Sequence, residues 1–278
     1  MTARLATHPL VSERTASVLE RLGAAGVDVE QAELGSSQDP LAQVRDGAID
    51  LALVGIDALR GSAGDGLTTV AVLPREEVRD VLVPVESRAT SWTELPAGAR
   101  IGVFGARRRA FLSVHRPDAV AVELDGDDAA AVLAGSVRDD VDALIVSMIS
   151  ARAAGRVEAA VEALDPKAWL PAPGQGALTL VARHPIAEAT ALDHLPTRTA
   201  LRTELALLDA LDAPLDSSLG CLAQPSGRWI RLWAAAASEE GRRLVRCDLT
   251  RPLDEPESLG SAVAAELRSR GYALVESR

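Results

Sequence analysis

The stretch LPAPGQGALTLVA, Leu170 to Ala182, decides the architecture. Over its first half Pro171, Pro173, Gly174 and Gly176 exclude a helix or a central strand, because proline lacks an N–H and glycine costs more entropy to order. Ala177–Ala182 is then a short apolar run of the kind that forms a buried strand. A loop of this composition followed by a strand reads as a crossover between two α/β units, with the strand joining the first or the second of them.

Upstream, apolar segments alternate with helical patterns. Val11, Val18, Leu19 and Leu22 share one helical face, with Gly23 and Gly26 as stop signals, and Val27, Val29 and Leu34 open a strand-like stretch. Short runs at Ile49–Ile56, Thr69–Leu73 and Val81–Val85 read as strands of a first sheet. Ser87 to Arg100, with little periodicity, reads as a first crossover. Beyond it the rhythm repeats: a strand at Arg100–Phe104, a helix at Arg107–His115, a strand at Val120–Leu124, a helix at Asp128–Leu133 and a strand at Ala143–Val146. The predicted class is α/β, with two binding-protein-like domains joined by two crossovers.

From about Thr199 the pattern changes. Leu201, Leu205, Leu208 and Leu211 give a helix, Trp229–Ala237 and Leu244–Leu249 give strands, and Leu259, Val263 and Leu267 give a last helix ending near Gly271. This predicts a small α+β C-terminal domain.

Composition bounds the chemistry. The 278 residues are 47% hydrophobic and 25% charged, with no apolar run long enough for a spanning helix and no apolar stretch behind Arg4 to form a secretory signal. A cytoplasmic, membrane-free protein is expected. A net charge of -11 speaks against nucleic acid as a partner, so an anionic ligand must meet a local basic cluster. Lys167 is the only lysine; the other basic residues are arginine, whose planar fork suits carboxylates and phosphates, although a GC-rich genome produces the same skew. The two cysteines, Cys221 and Cys247, make neither a disulfide framework nor a zinc site. His8, His115, His184 and His194 have no metal or triad spacing, so no metal is expected.

Three places could carry chemistry. In IGVFGARRR, Ile101 to Arg109, a strand ends, Gly102 and Gly105 let the backbone approach a ligand, and a helix starts with three arginines. Cations there oppose the helix dipole while the free N–H groups attract anions, a conflict that a bound anion relieves; three solvated arginines are the plain alternative. Cys221, in DSSLGCLAQPSG, falls in a polar stretch read as a loop, where a thiol is accessible as a nucleophile or attachment point. Cys247, in an alternating run, reads as a strand residue. Asp50 and Asp57 flank LALVGI, where a carboxylate at a strand end faces the usual ligand crevice or caps a helix.

Taken together these segments resemble the porphobilinogen deaminase, or hydroxymethylbilane synthase, family. LPAPGQGALTLVAR at Leu170–Arg183 is similar to that family's LPAxGQGALxIxxR. In the same order RLAT at Arg4–Thr7 resembles RIAT, DGAIDLAL at Asp46–Leu53 resembles DGEIDLAV, and REEVRDVLV at Arg75–Val83 resembles REDPRDALV. LPAGARIG at Leu95–Gly102, followed by Arg107 and Arg108, resembles LPxGxxIGTSSxRR, and Gly220-Cys221 the GGCQxP loop. The resemblance implies domain 1 at 1–88 with 175–197, domain 2 at 96–172 and a C-terminal domain at 198–278 carrying the cysteine. It implies a dipyrromethane cofactor held by thioether on Cys221, with Thr7, Gly105, Arg107, Arg108 and Gln175 as cofactor-binding residues. It also implies porphobilinogen as substrate, four units of which condense with loss of ammonia, and a monomeric enzyme of tetrapyrrole and heme biosynthesis.

Several positions depart from the family's pattern. Its H-S-L-K-D reads Val54-Gly55-Ile56-Asp57-Ala58 here, so Ala58 holds the place of the catalytic aspartate and Asp57, one position earlier, becomes the candidate catalytic residue. His8 replaces the early arginine, and Asp125 and Ala131 fall where further cleft arginines stand. A weak or silent paralogue that binds a tetrapyrrole or another small anion is the second reading, and an anion receptor of periplasmic-binding-protein type is the third. The lack of an export signal and the presence of Gly220-Cys221 count against the receptor.

Overall fold

The computed structural model describes residues 2–7, 14–34, 38–56, 66–85, 91–124, 140–158 and 162–273. The first strands are β1 (Ala3–Thr7), β2 (Val29–Gln31), β3 (Leu51–Gly55), β4 (Thr68–Val72) and β5 (Asp80–Pro84). They are followed by β6 (Arg100–Val103), β7 (Val120–Glu123), β8 (Ala143–Ser147), β9 (Glu162–Ala163) and β10 (Leu178–Ala182), then by β11 (Leu219–Ser226), β12 (Trp229–Ala237) and β13 (Leu244–Pro252). The α-helices are α1 (Thr15–Ala24), α2 (Pro40–Arg45), α3 (Gly105–His115), α4 (Met148–Ala153), α5 (Leu195–Leu211) and α6 (Pro256–Ser269).

The chain divides into two compact units, one of Met1–Glu76 with Gly174–Thr199 and the other of Glu77–Pro173 with Ala200–Arg278. The first unit's sheet runs β2-β1-β3-β10-β4, with β1 parallel to β2 and β3, and β10 antiparallel to β3 and β4. Apolar side chains alternate between its faces. Leu51 and Leu53 join Leu5, Leu22 and Leu180 on one side; Ala52 and Val54 join Leu41, Val44 and Val181 on the other. Burial on both faces is why β3 and β10 read as continuous apolar runs. Helix α2 starts where Asp39 accepts a hydrogen bond from Leu41 N and Pro40 takes the first helical position.

The second unit repeats the pattern. Its sheet runs β7-β6-β8-β5-β9, with β6 parallel to β7 and β8, and β5 antiparallel to β8 and β9. The same unit holds the antiparallel meander β11-β12-β13. One face of the meander packs Leu207, Leu211, Leu259, Val263 and Leu267 of α5 and α6; on the other, Leu222, Ala235 and Ala237 join Phe111 of α3.

The α/β class and the C-terminal α+β layer agree with the expectation, and β10 settles into the first sheet. Three readings differ. The strand read at Val81–Val85 belongs to the second sheet, so the first unit ends at Glu76, not at residue 88; an apolar run does not say which sheet receives it, and here the buried Asp80 at its start finds its partners in the second unit. The segment around Cys221 is not a loop but strand β11. The C-terminal layer is counted within the second unit. The helix read at Asp128–Leu133 lies outside the described residues.

Candidate functional site

Helix α3 starts at Gly105, whose φ of 79° suits glycine and around whose Cα a side-chain carbon would meet open space. Its N-cap, Phe104, makes no side-chain capping bond, and the first turn carries Arg107 and Arg108. Both arginines converge on Asp80. Arg107 Nη2 donates to Asp80 Oδ2 at 2.7 Å and its Nη1 to the Leu170 carbonyl at 2.8 Å. Arg108 donates from Nη2 to Oδ1 at 2.9 Å and from Nε to Oδ2 at 3.2 Å. Trp169 Nε1 adds a fourth donor at 2.9 Å.

The carboxylate has no solvent exposure, whereas the two arginine side chains are 6% and 15% exposed. Burial pushes the Asp80 carboxyl up, but the charges of Arg107 and Arg108 and their hydrogen bonds outweigh it and hold it well below the usual carboxylate range. Burial pulls the Arg107 guanidinium down, against the opposing pull of Asp80. Two guanidiniums thus converge on one carboxylate in a poorly hydrated place. Such a place favours an anion.

Cys221 belongs to the same unit as this cluster, and its strand runs against the Leu170–Pro171 stretch that Arg107 also reaches. It sits on edge strand β11, pairs with Ala234 and is fully buried among the apolar residues of the meander, α5 and α6. Its backbone N–H turns away from β12 and donates to the Pro171 carbonyl at 2.9 Å. Gly220, just before it, faces the other way: a side-chain carbon there would come within 2.9 Å of Phe111 Cε2 and 2.7 Å of the Leu170 carbonyl. Only glycine lets the strand run so close.

The segment Lys167–Pro171 is thereby tied at every residue. The Lys167 and Ala168 carbonyls accept from Arg246, Trp169 donates to Asp80, the Leu170 carbonyl accepts from Arg107, and the Pro171 carbonyl accepts from Cys221.

The structure therefore places Gly105, Arg107 and Arg108 at the start of α3 in the second unit, which also holds Cys221. Thr7 and Gln175 belong to the first. Thr7 ends β1, where its hydroxyl accepts from the Thr15 hydroxyl at 3.2 Å. Gln175 stands between Gly174 and Gly176, both at positive φ, and its carbonyl accepts from Arg75 Nε at 3.0 Å. Asp57, Ala58, His8, Asp125 and Ala131 lie outside the described residues. Asp50 accepts from Arg4 N at 2.9 Å, and His194 Nδ1 lies 2.8 Å from the Thr197 hydroxyl in the first turn of α5. Cys247 is a buried strand residue whose thiol is pushed up by burial. Among the described residues no group of three His, Cys, Asp or Glu could hold a metal, and no helix is long and apolar enough to cross a membrane.

Asp80 and Trp169 escaped the sequence reading. The signal was present: a carboxylate opening a run of buried apolar residues needs a buried cation, and two arginines at one helix start supply it.

Comparison with known proteins gives this geometry a setting. Residues 39–191 match the family described as porphobilinogen deaminase, dipyromethane cofactor binding domain. The porphobilinogen deaminase of Moorella thermoacetica is 31% identical over 276 residues, spanning 98% of this chain and 85% of that protein. That of Pelobacter propionicus is 30% identical over 267 residues, 93% of this chain and 85% of its own. Among solved structures, a nutrient binding protein from Burkholderia cenocepacia bound to methionine aligns with a TM-score of 0.48 at 17% identity, covering 66% of this chain and 85% of that one.

Proposed function

The chain belongs to the porphobilinogen deaminase family, and from that premise we propose that it is a hydroxymethylbilane synthase acting in tetrapyrrole synthesis in the cytoplasm, as a monomer. Its substrate would be porphobilinogen, four units of which condense with release of ammonia. The observation that carries this reading is the buried Arg107–Arg108 pair on the carboxylate of Asp80, in the same unit as Cys221.

The donor set suits a dipyrromethane in chemistry and charge. Cys221 would hold it by thioether, and the guanidiniums of the arginine pair would receive its carboxylates. When bound, the cofactor supplies the primer onto which the units are condensed. Arg108, the more exposed partner, is the one placed to exchange part of its contact with Asp80 for a ligand carboxylate, while Arg107 stays committed to Asp80 and Leu170. Room for the group requires the edge of β11 to part from Pro171, because Cys221 is enclosed where it stands. In this proposal Asp57 takes the proton-handling role of the family's aspartate, with Thr7 and Gln175 as further cofactor contacts.

The test is the intact mass of the purified full chain. We expect an excess matching a dipyrromethane in the wild type and in Cys247→Ser, and none in Cys221→Ser. An adduct that survives Cys221→Ser and vanishes in Cys247→Ser would overturn the assignment.

A second reading, a silent paralogue that binds a tetrapyrrole or another small anion without turnover, is favoured by Ala58 in the place of the family's aspartate. Porphobilinogen consumption by wild type, Asp57→Ala and Ala58→Asp separates the two. Activity lost in Asp57→Ala supports the enzyme; a wild type without activity that gains it in Ala58→Asp supports the paralogue.

A further inference from the structure

Leu170, whose carbonyl accepts from Arg107, also lines a cavity of about 310 Å3 in the second unit. The cavity is bounded by β12, β13, the end of α6 and the tied segment, and its chemistry comes from Lys167, Trp233, Arg246, Asp248 and Arg270. Two of these charges are already matched. Asp248 pairs with Arg231, and Arg270 Nε donates to Glu266 Oε1 at 2.7 Å. Lys167 and Arg246 have no carboxylate partner among the described residues.

Arg246 is nevertheless held in place. Its Nη2 donates to the carbonyls of Lys167 at 2.8 Å and Ala168 at 2.9 Å, contacts that fix the guanidinium plane and use only one of its nitrogens. The Lys167 ammonium stands 5.7 Å from the Trp233 ring centroid, a cation–π contact on an otherwise exposed residue. Of the remaining titratable neighbours Asp165 is negative, and its Oδ1 accepts from the Lys167 backbone N–H at 3.0 Å. The Cys247 thiol is pushed up by burial, and burial and Arg246 push the His115 imidazole down toward its neutral form. In a chain of net charge -11 this leaves two oriented, unmatched cations at one concavity.

We propose that this cavity is a second binding site, for a small oxyanion whose carboxylate or phosphate group sits between the Lys167 ammonium and the Arg246 guanidinium. A fork with free N–H groups beside a point charge suits either oxyanion, and the volume suits a small metabolite better than a polymer. The site stands apart from the transfer reaction proposed above and does not rest on it.

Titration calorimetry on the full chain with pyrophosphate and with citrate tests this. We expect saturable binding of at least one; pyrophosphate alone identifies a phosphate site, citrate alone a carboxylate site. Lys167→Gln and Arg246→Gln should each weaken it by about tenfold or more, the effect of losing one charge-assisted contact, while Arg108→Gln leaves it within about twofold. Lys167 is exposed, so its variant remains informative even if Arg246→Gln loosens the tied segment. The proposal is overturned by the absence of saturable heat with both anions at millimolar concentration. It is equally overturned by binding that persists in Lys167→Gln and disappears in Arg108→Gln.

Discussion

The carboxylate of Asp80 lies 2.7 Å from Nη2 of Arg107, and the pair is so enclosed that each is the other's main source of charge compensation. Arg107→Leu should therefore act first on stability. It leaves the Leu170 carbonyl without this donor and one bond fewer on Asp80, a loss of about 3 to 5 kcal/mol by analogy with broken buried pairs. Arg108→Leu leaves the Asp80–Arg107 pair intact and neutral, and should cost well below that. Urea unfolding midpoints with matched slopes check the order; equal losses in both variants would show that the two arginines are interchangeable supports.

Acid should act through the same carboxylate. Its pKa is depressed in the folded chain, so its contribution is fully present above the ordinary unfolded value of about 3.9 and is lost as pH falls below that toward the folded value. Comparing the thermal midpoints of wild type and Asp80→Asn from pH 7 to pH 3 isolates this group from the other carboxylates. The gap between the curves should stay constant down to about pH 4 and close below it. A gap that closes near neutrality would refute the assignment.

Thiol counting distinguishes the two cysteines without any assay of turnover. Both are buried, so neither should react quickly with a thiol reagent in the native protein. In denaturant a chain carrying a thioether on Cys221 exposes one reactive thiol, and a chain without it exposes two. Rapid native labelling of Cys221 would mean that β11 opens far more readily than its contacts suggest.

Gly174→Ala should be costly. The residue has a φ of 76°, and a side-chain carbon there would approach Ile56 Cγ2 to 2.1 Å. The strained backbone alone costs on the order of 1 to 3 kcal/mol, and the clash adds to it. Thermal unfolding measures the sum; a variant as stable as wild type would show that the turn relaxes freely.

The sequence made the layers legible where burial is strong and periodic: β3, β10, β12 and α3 are all found where their apolar residues place them. Strand β11 was hidden because Gly220, Gln224 and Pro225 imitate a turn. An edge strand tolerates proline, and Gly220 serves a close approach to Phe111 instead of a bend. At the site, Arg107 and Arg108 were visible as charges at a helix start, but their partner was not. Asp80 opens an apolar run behind the charged stretch Arg75–Arg79, and the spacing alone does not say that this carboxylate, 27 residues before Arg107, is its acceptor.

Of the hydrogen bonds described above that tie Lys167–Pro171, that of Trp169 is made by its side chain; Lys167, Ala168, Leu170 and Pro171 use backbone carbonyls. Inserting or deleting one residue would displace every later carbonyl by about 3.3 Å, more than a hydrogen bond tolerates. Side-chain exchange at Lys167 or Ala168 leaves those bonds in place. The stretch thus works as a gauge block whose length is invariant while much of its lettering is free, and related chains should absorb their gaps elsewhere, for instance at the two-residue turn between β11 and β12.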